Sequence, residues 1–143
     1  MTIPVTPEPR VPPPGERPWG PEPTPYEALG GAERVQQLAE AFYDRVEATA
    51  PTLRAMLPKD TSVSRRKLTE FLSGWLGGPQ LYWEKYGHPR LRMRHFPFAI
   101  GDAEAEAWLR CMDEAMAEVG VSEGLAAFLA VRFRESALHL RNQ

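Results

Sequence analysis

The chain has a single cysteine, Cys111, so it cannot close a disulfide on itself. That usage fits a reducing compartment. It has no run of about 18 apolar residues, so no helical membrane span is expected. Its first residues lack the apolar core of a secretory signal, which makes the cytoplasm the expected location. There is no surplus of positive charge either: a net charge of −2 offers no electrostatic case for nucleic-acid binding. The common catalytic and nucleotide motifs are missing. No HExxH, paired CxxC, GxGxxG or Walker loop occurs, and Gly77-Gly78-Pro79 lacks the lysine and the strand that a phosphate loop needs. Of the three histidines, His88 and His95 stand seven apart with Pro89 between them, which is poor spacing for zinc. His139 and Cys111 fall on separate helices with no triad pattern around them. No alternating strand pattern and no repeat of solenoid period is visible.

What is present begins with proline. Ten of the 15 prolines precede Tyr26. Each fixes φ and removes an amide donor, so this arm can form neither a helix nor an inner strand. Residues 1–25 read as an extended or disordered N-terminal extension, either solvated or serving as a proline-rich ligand for a partner. Residues 26–143 read as one domain. With 43% hydrophobic and 25% charged residues, the chain has the balance of a globular protein.

Beyond Tyr26 the pattern is helical. Val35, Leu38, Ala39, Phe42, Tyr43 and Val46 recur at i, i+3, i+4, i+7, i+8 and i+11 and form one apolar face. After a loop through Pro58, Thr61 or Ser62 is placed to cap a second helix. Its stripe is Ser64, Leu68, Phe71, Leu72, Trp75 and Leu76, and Gly77-Gly78-Pro79 ends it. A short aromatic segment, LYWEKYG, comes next. Asp102 is the expected cap of a third helix that buries Ala105, Trp108, Cys111, Met112, Ala115, Met116 and Val119. Ser122 is placed to cap a fourth, with Leu125, Leu129, Phe133, Ala137 and Leu140 as its stripe. The expectation is an all-α fold of four main helices.

The stretch GHPRLRMRHFPF, Gly87 to Phe98, carries the chemistry. Leu91 and His95 are i, i+4 neighbours on one face of a short basic helix, and Pro97 makes continuation past Phe96 unfavourable. A neutral imidazole on an otherwise oily face suits haem iron as a ligand. Its second ring nitrogen can donate to the Leu91 carbonyl one turn back. Arg92 and Arg94 project elsewhere, toward carboxylates at the edge of a bound group. Taken alone, such a histidine is more often a surface or hydrogen-bonded core residue.

The run GGPQLYWEKYGHPRLRMRHFPFAI, together with AEAWLRCM, resembles the group II (O-type) truncated haemoglobins over about residues 26–140. The resemblance implies a globin-like two-on-two α-helical sandwich around haem b. It implies His95 as the proximal iron ligand, Tyr43 as the distal tyrosine, and Trp108 as a second donor to the bound ligand. Leu68, Phe71, Leu91 and Phe98 match apolar haem contacts, Lys67 and Arg94 match propionate partners, and Tyr82 falls near the haem edge. Two positions depart from the pattern. Leu57 stands where a ring usually packs on the haem, and Ser64 stands at the distal site where it opens a short path to solvent.

For function, the resemblance implies reversible binding of dioxygen, nitric oxide and carbon monoxide by a monomer or homodimer. Two donors would hold dioxygen tightly. That favours nitric-oxide dioxygenase or peroxidase-type chemistry, with an external reductase, over bulk oxygen transport. The alternative is a haem-free globin-fold sensor or interaction module that uses the proline-rich arm. The joint retention of His95, Tyr43 and Trp108 speaks against it, since a haem-free module needs none of the three together.

Overall fold

The computed structural model describes residues 11–13, 15–88 and 100–139. Among these there are seven helices and no strand: α1 (Pro25–Leu29), α2 (Ala32–Thr49), α3 (Pro51–Ala55), α4 (Ser62–Trp75), α5 (Leu81–Tyr86), α6 (Asp102–Glu118) and α7 (Glu123–His139). The four long ones pair as α2 with α4 and α6 with α7, and α2 crosses onto α6. This is the expected all-α sandwich of two helices on two. Its core draws on every long helix: Val35, Leu38 and Val46 of α2, Leu72 of α4, Met112 and Ala115 of α6, and Leu125 and Leu129 of α7 are all buried. Full burial of each larger aliphatic side chain is worth about 1.5–3 kcal/mol.

The apolar stripe of α4 divides along its length. Leu72 and Trp75, with Leu76 just beyond the helix, are buried in the core, whereas Ser64, Leu68 and Phe71 are only half-buried. Trp108 on α6 is half-buried as well, although periodicity predicts burial for it. These half-buried positions mark where helices diverge around a cavity. Val119 is also half-buried, because it is the cap that ends α6. Leu140 lies outside the described residues.

One helix start differs from expectation by a residue, and another matches it in position but not in how it is capped. Gly101, not Asp102, caps α6, and the Glu104 carboxylate reaches back to accept the Gly101 N–H at 2.7 Å. That leaves Asp102 inside the first turn, where its charge meets the positive end of the helix dipole. At α4, Thr61 occupies the cap position without capping through its side chain. Its hydroxyl accepts from Arg65 Nε at 3.0 Å instead, and Asp60 Oδ1 accepts the Ser62 N–H at 2.9 Å. Glu70 is a feature that periodicity does not reveal. It is a buried carboxylate on α4, held by Lys85 Nζ and by the Tyr86 hydroxyl at 3.1 Å, and so it ties α5 to α4.

The later part of the proline-rich arm is largely exposed but makes specific contacts with the domain. Trp19 meets Phe128 of α7 edge-on at 5.0 Å, and its indole N–H donates to the Glu22 carbonyl at 2.9 Å. Arg17 Nε donates to the Pro12 carbonyl at 3.0 Å. Thr24 Oγ1 caps α1, and Pro25, which is buried, opens it at a position where the missing amide donor costs nothing. Proline thus prevents regular structure here without preventing docking, since ring and indole faces are themselves apolar. A Cβ at Gly124 would collide with the Pro18 carbonyl. Gly124→Ala is therefore expected to cost about 1–3 kcal/mol by overpacking. It should also release Trp19 from Phe128, read as a lowered melting temperature with a red-shifted tryptophan emission.

Candidate functional site

The helices enclose a cavity of about 470 Å³, a volume typical of small-molecule sites. Phe42, Tyr43 and Val46 of α2 form one side, and Leu53, Met56 and Leu57, from α3 and the turn after it, close one end. Ser64, Lys67, Leu68 and Phe71 of α4 form another wall, with Tyr82 of α5 beside them. Pro58 and Ile100, with Leu72 and Trp75 of α4, Glu104, Ala105 and Trp108 of α6, and Phe133, Ser136 and Ala137 of α7, complete it. Adjacent residues on α2 differ in burial: Phe42 is buried in the core, while Tyr43 is half-buried.

A chain of rings backs the cavity. Phe42 packs on Tyr43 at 5.1 Å and on Trp108 at 5.0 Å. Trp108 packs edge-to-face on Phe133 at 5.5 Å, and Phe133 stacks on Trp75 at 4.7 Å. Such contacts add about 0.5–1.5 kcal/mol each beyond area burial, and here they fix the Trp108 ring.

Eight of the residues singled out from the sequence line this one cavity: Tyr43, Leu57, Ser64 and Lys67, then Leu68, Phe71, Tyr82 and Trp108. The other four, Leu91, Arg94, His95 and Phe98, lie outside the described residues. Sequence reasoning misses the α7 contribution. Periodicity assigns Phe133 and Ala137 to the core, because a helical period marks an apolar face without saying whether it meets a neighbour or a void. Ser136 carries no sequence signal at all. Its Oγ is buried without a hydrogen-bond partner, on the cavity wall. A buried unpaired hydroxyl costs about 1–3 kcal/mol, so it marks a place where an occupant can bond.

Polar groups are few and specific. Burial pushes the Tyr43 phenol up to about 12, against a smaller opposing pull from the Arg65 cation. It is therefore a neutral O–H donor across the physiological range. Lys67 Nζ lies 5.1 Å from the Tyr86 ring centroid. No group of three or more metal-ligating side chains occurs among the described residues. No helix among them is long and apolar enough to cross a membrane. The cavity can thus take a largely apolar group of a few hundred Å³ and offer a phenol to a small polar ligand.

Comparison with known proteins places this arrangement. The model of the family described as bacterial-like globin matches residues 24–142. The group 2 truncated haemoglobin YjbI of Bacillus subtilis is 46% identical over 119 residues, covering 83% of this chain and 89% of that protein. The chain belongs to the bacterial-like globins, as a group 2 truncated haemoglobin. The fold agrees with solved members. The group II truncated haemoglobin of Bacillus anthracis superposes with a TM-score of 0.80 at 42% identity, over 84% of this chain and 92% of that one. A truncated haemoglobin of Bacillus subtilis described as oxygen-avid gives 0.78 at 45% identity, over 83% and 99%.

Because folding raises the Tyr43 phenol from 10.0 to about 12, it contributes stability that is complete below about pH 10. That contribution is lost as pH rises through about 12. Tyr43→Phe should flatten this alkaline limb of the truncated globin's stability curve, measured by denaturant unfolding across that window.

Proposed function

We propose that this truncated haemoglobin is a haem-b protein that binds dioxygen and related diatomic ligands, nitric oxide and carbon monoxide, reversibly in the cavity. The cavity itself, with Tyr43 and Trp108 on its walls, is the observation that carries the reading. The lining fits the group. Aromatic and aliphatic walls suit a flat apolar macrocycle, Lys67 supplies a cation for an acidic edge, and the unpaired Ser136 hydroxyl is available to an occupant. His95 would hold the iron, Lys67 and Arg94 would pair with the propionates, and Leu68, Phe71 and Tyr82 would cover the ring. Haem supplies the metal centre at which dioxygen binds and from which it leaves.

The chain's own residues set how long the ligand stays. Tyr43, a phenol protonated throughout the physiological range, donates its hydroxyl to the ligand, and the Trp108 indole N–H is the second donor. Apolar walls exclude water that would compete for these bonds. A donor to a partner bearing negative charge is worth roughly 1.5–3 kcal/mol, which slows ligand loss about ten- to a hundredfold. Slow release suits oxidation of nitric oxide or reduction of peroxide with an external reductase better than oxygen delivery. A relative described as oxygen-avid supports the same reading.

The purified protein is expected to be red with a Soret band. His95→Ala should abolish stoichiometric haem uptake; normal uptake by that variant would remove His95 as the ligand. A protein that stays colourless after reconstitution would favour the haem-free interaction module instead. In the ferrous protein, Tyr43→Phe and Trp108→Phe should each speed oxygen release about ten- to a hundredfold in stopped-flow measurements. Unchanged release in both would reject the donor roles.

A further inference from the structure

Arg65 of α4 is held more firmly than an ion pair between helices requires. Nη1 donates to Asp44 Oδ1 at 2.9 Å, to Glu40 Oε2 at 3.2 Å and to the Glu40 carbonyl at 3.3 Å. Nη2 donates to Glu47, and Nε donates to Thr61 Oγ1 at 3.0 Å. The side chain is only 15% exposed. Glu40, Asp44 and Glu47 lie at i, i+4 and i+7 on one face of α2, and Tyr43 stands among them. The guanidinium carbon is 5.8 Å from the Tyr43 ring centroid.

A partly exposed ion pair contributes about 0–1 kcal/mol, so adding carboxylates gains little stability. What several acceptors around one planar fork do achieve is position, because each further bond removes a rotamer. A cation fixed beside a phenol ring favours one ring placement through the ring quadrupole. It also draws electron density from the hydroxyl, in line with its downward pull on the phenol's ionisation.

We propose that Arg65 is the positioning residue for Tyr43: its clamped guanidinium fixes the phenol ring and strengthens the hydroxyl as a donor into the cavity. This rests on the reading of Tyr43 as the ligand's donor. It adds a control point outside the cavity lining, since Arg65 is not among the lining residues.

The test is a double-mutant cycle in the full-length haem-loaded protein, with Arg65→Met, Tyr43→Phe and both together. Arg65→Met is expected to speed oxygen release about two- to tenfold when Tyr43 is present. It should also raise the carbonyl stretching frequency of added carbon monoxide. In the Tyr43→Phe background it should change neither. An equal effect in both backgrounds, or none in either, overturns the proposal. Should Arg65→Met fail to fold, Arg65→Lys keeps the charge but loses the fork, and the same signs with smaller size are expected.

A second readout needs no haem. In protein with ¹³C-labelled tyrosine, the Tyr43 ring resonances should shift and its ring flipping should quicken in the Arg65 variants, and unchanged resonances overturn the positioning role. If Tyr43→Phe alone leaves oxygen release unchanged, the donor reading fails. The labelled-ring measurement then still decides whether Arg65 places the ring.

Discussion

The structure depends on keeping an apolar cavity open between helices that would gain by closing it. Hydrophobic surfaces collapse onto one another unless something rigid holds them apart. Here that is a run of interlocked rings, Tyr43–Phe42–Trp108–Phe133–Trp75, that spans all four long helices. Rings do not compress, and each is fixed by the next, so they set the spacing of the helices around the cavity. The properties of the site derive from that spacing. Burial raises the pKa of a phenol that is already neutral at physiological pH, and Trp108 stays half-buried because it faces the cavity.

The charged residues divide into those that stabilise and those that place. Pairs such as Arg134 with Glu106 or Arg45 with Glu118 lie in solvent and add little. Arg65 and Glu70 differ, because each is largely or fully buried and joins α4 to a neighbouring element, α2 in one case and α5 in the other. Between them they fix the helix that carries Ser64, Lys67, Leu68 and Phe71. The cavity wall is therefore held from its outer faces by electrostatics and from its inner face by packing.

Much of this is legible in the residues. The apolar period locates α2, α4, α6 and α7, since a helix that must bury one side advertises it every three to four positions. The resemblance picks out eight residues that line one cavity. What periodicity cannot supply is the difference between a core face and a cavity face. Leu68 and Leu72 look identical in the pattern and both line the cavity, yet Leu72 is buried in the core while Leu68 is half-buried. Ser136 and Glu70 are invisible for another reason: their surroundings come from distant parts of the chain. Thr61 caps α4 in position, as one of the two expected residues, but the bond to the first free amide is made by Asp60; the cap of α6 falls on Gly101 rather than Asp102, with Glu104 reaching back to its N–H.

The family match begins at residue 24, whereas close packing begins earlier, with Trp19 seated on Phe128 and the Pro18 carbonyl pressed against Gly124. A boundary drawn by kinship alone would cut through that seam. It would strip a hydrophobic patch on α7 of its cover and leave a sticky surface for other molecules to find. The unit that keeps its oily side hidden is thus larger than the stretch the family match spans.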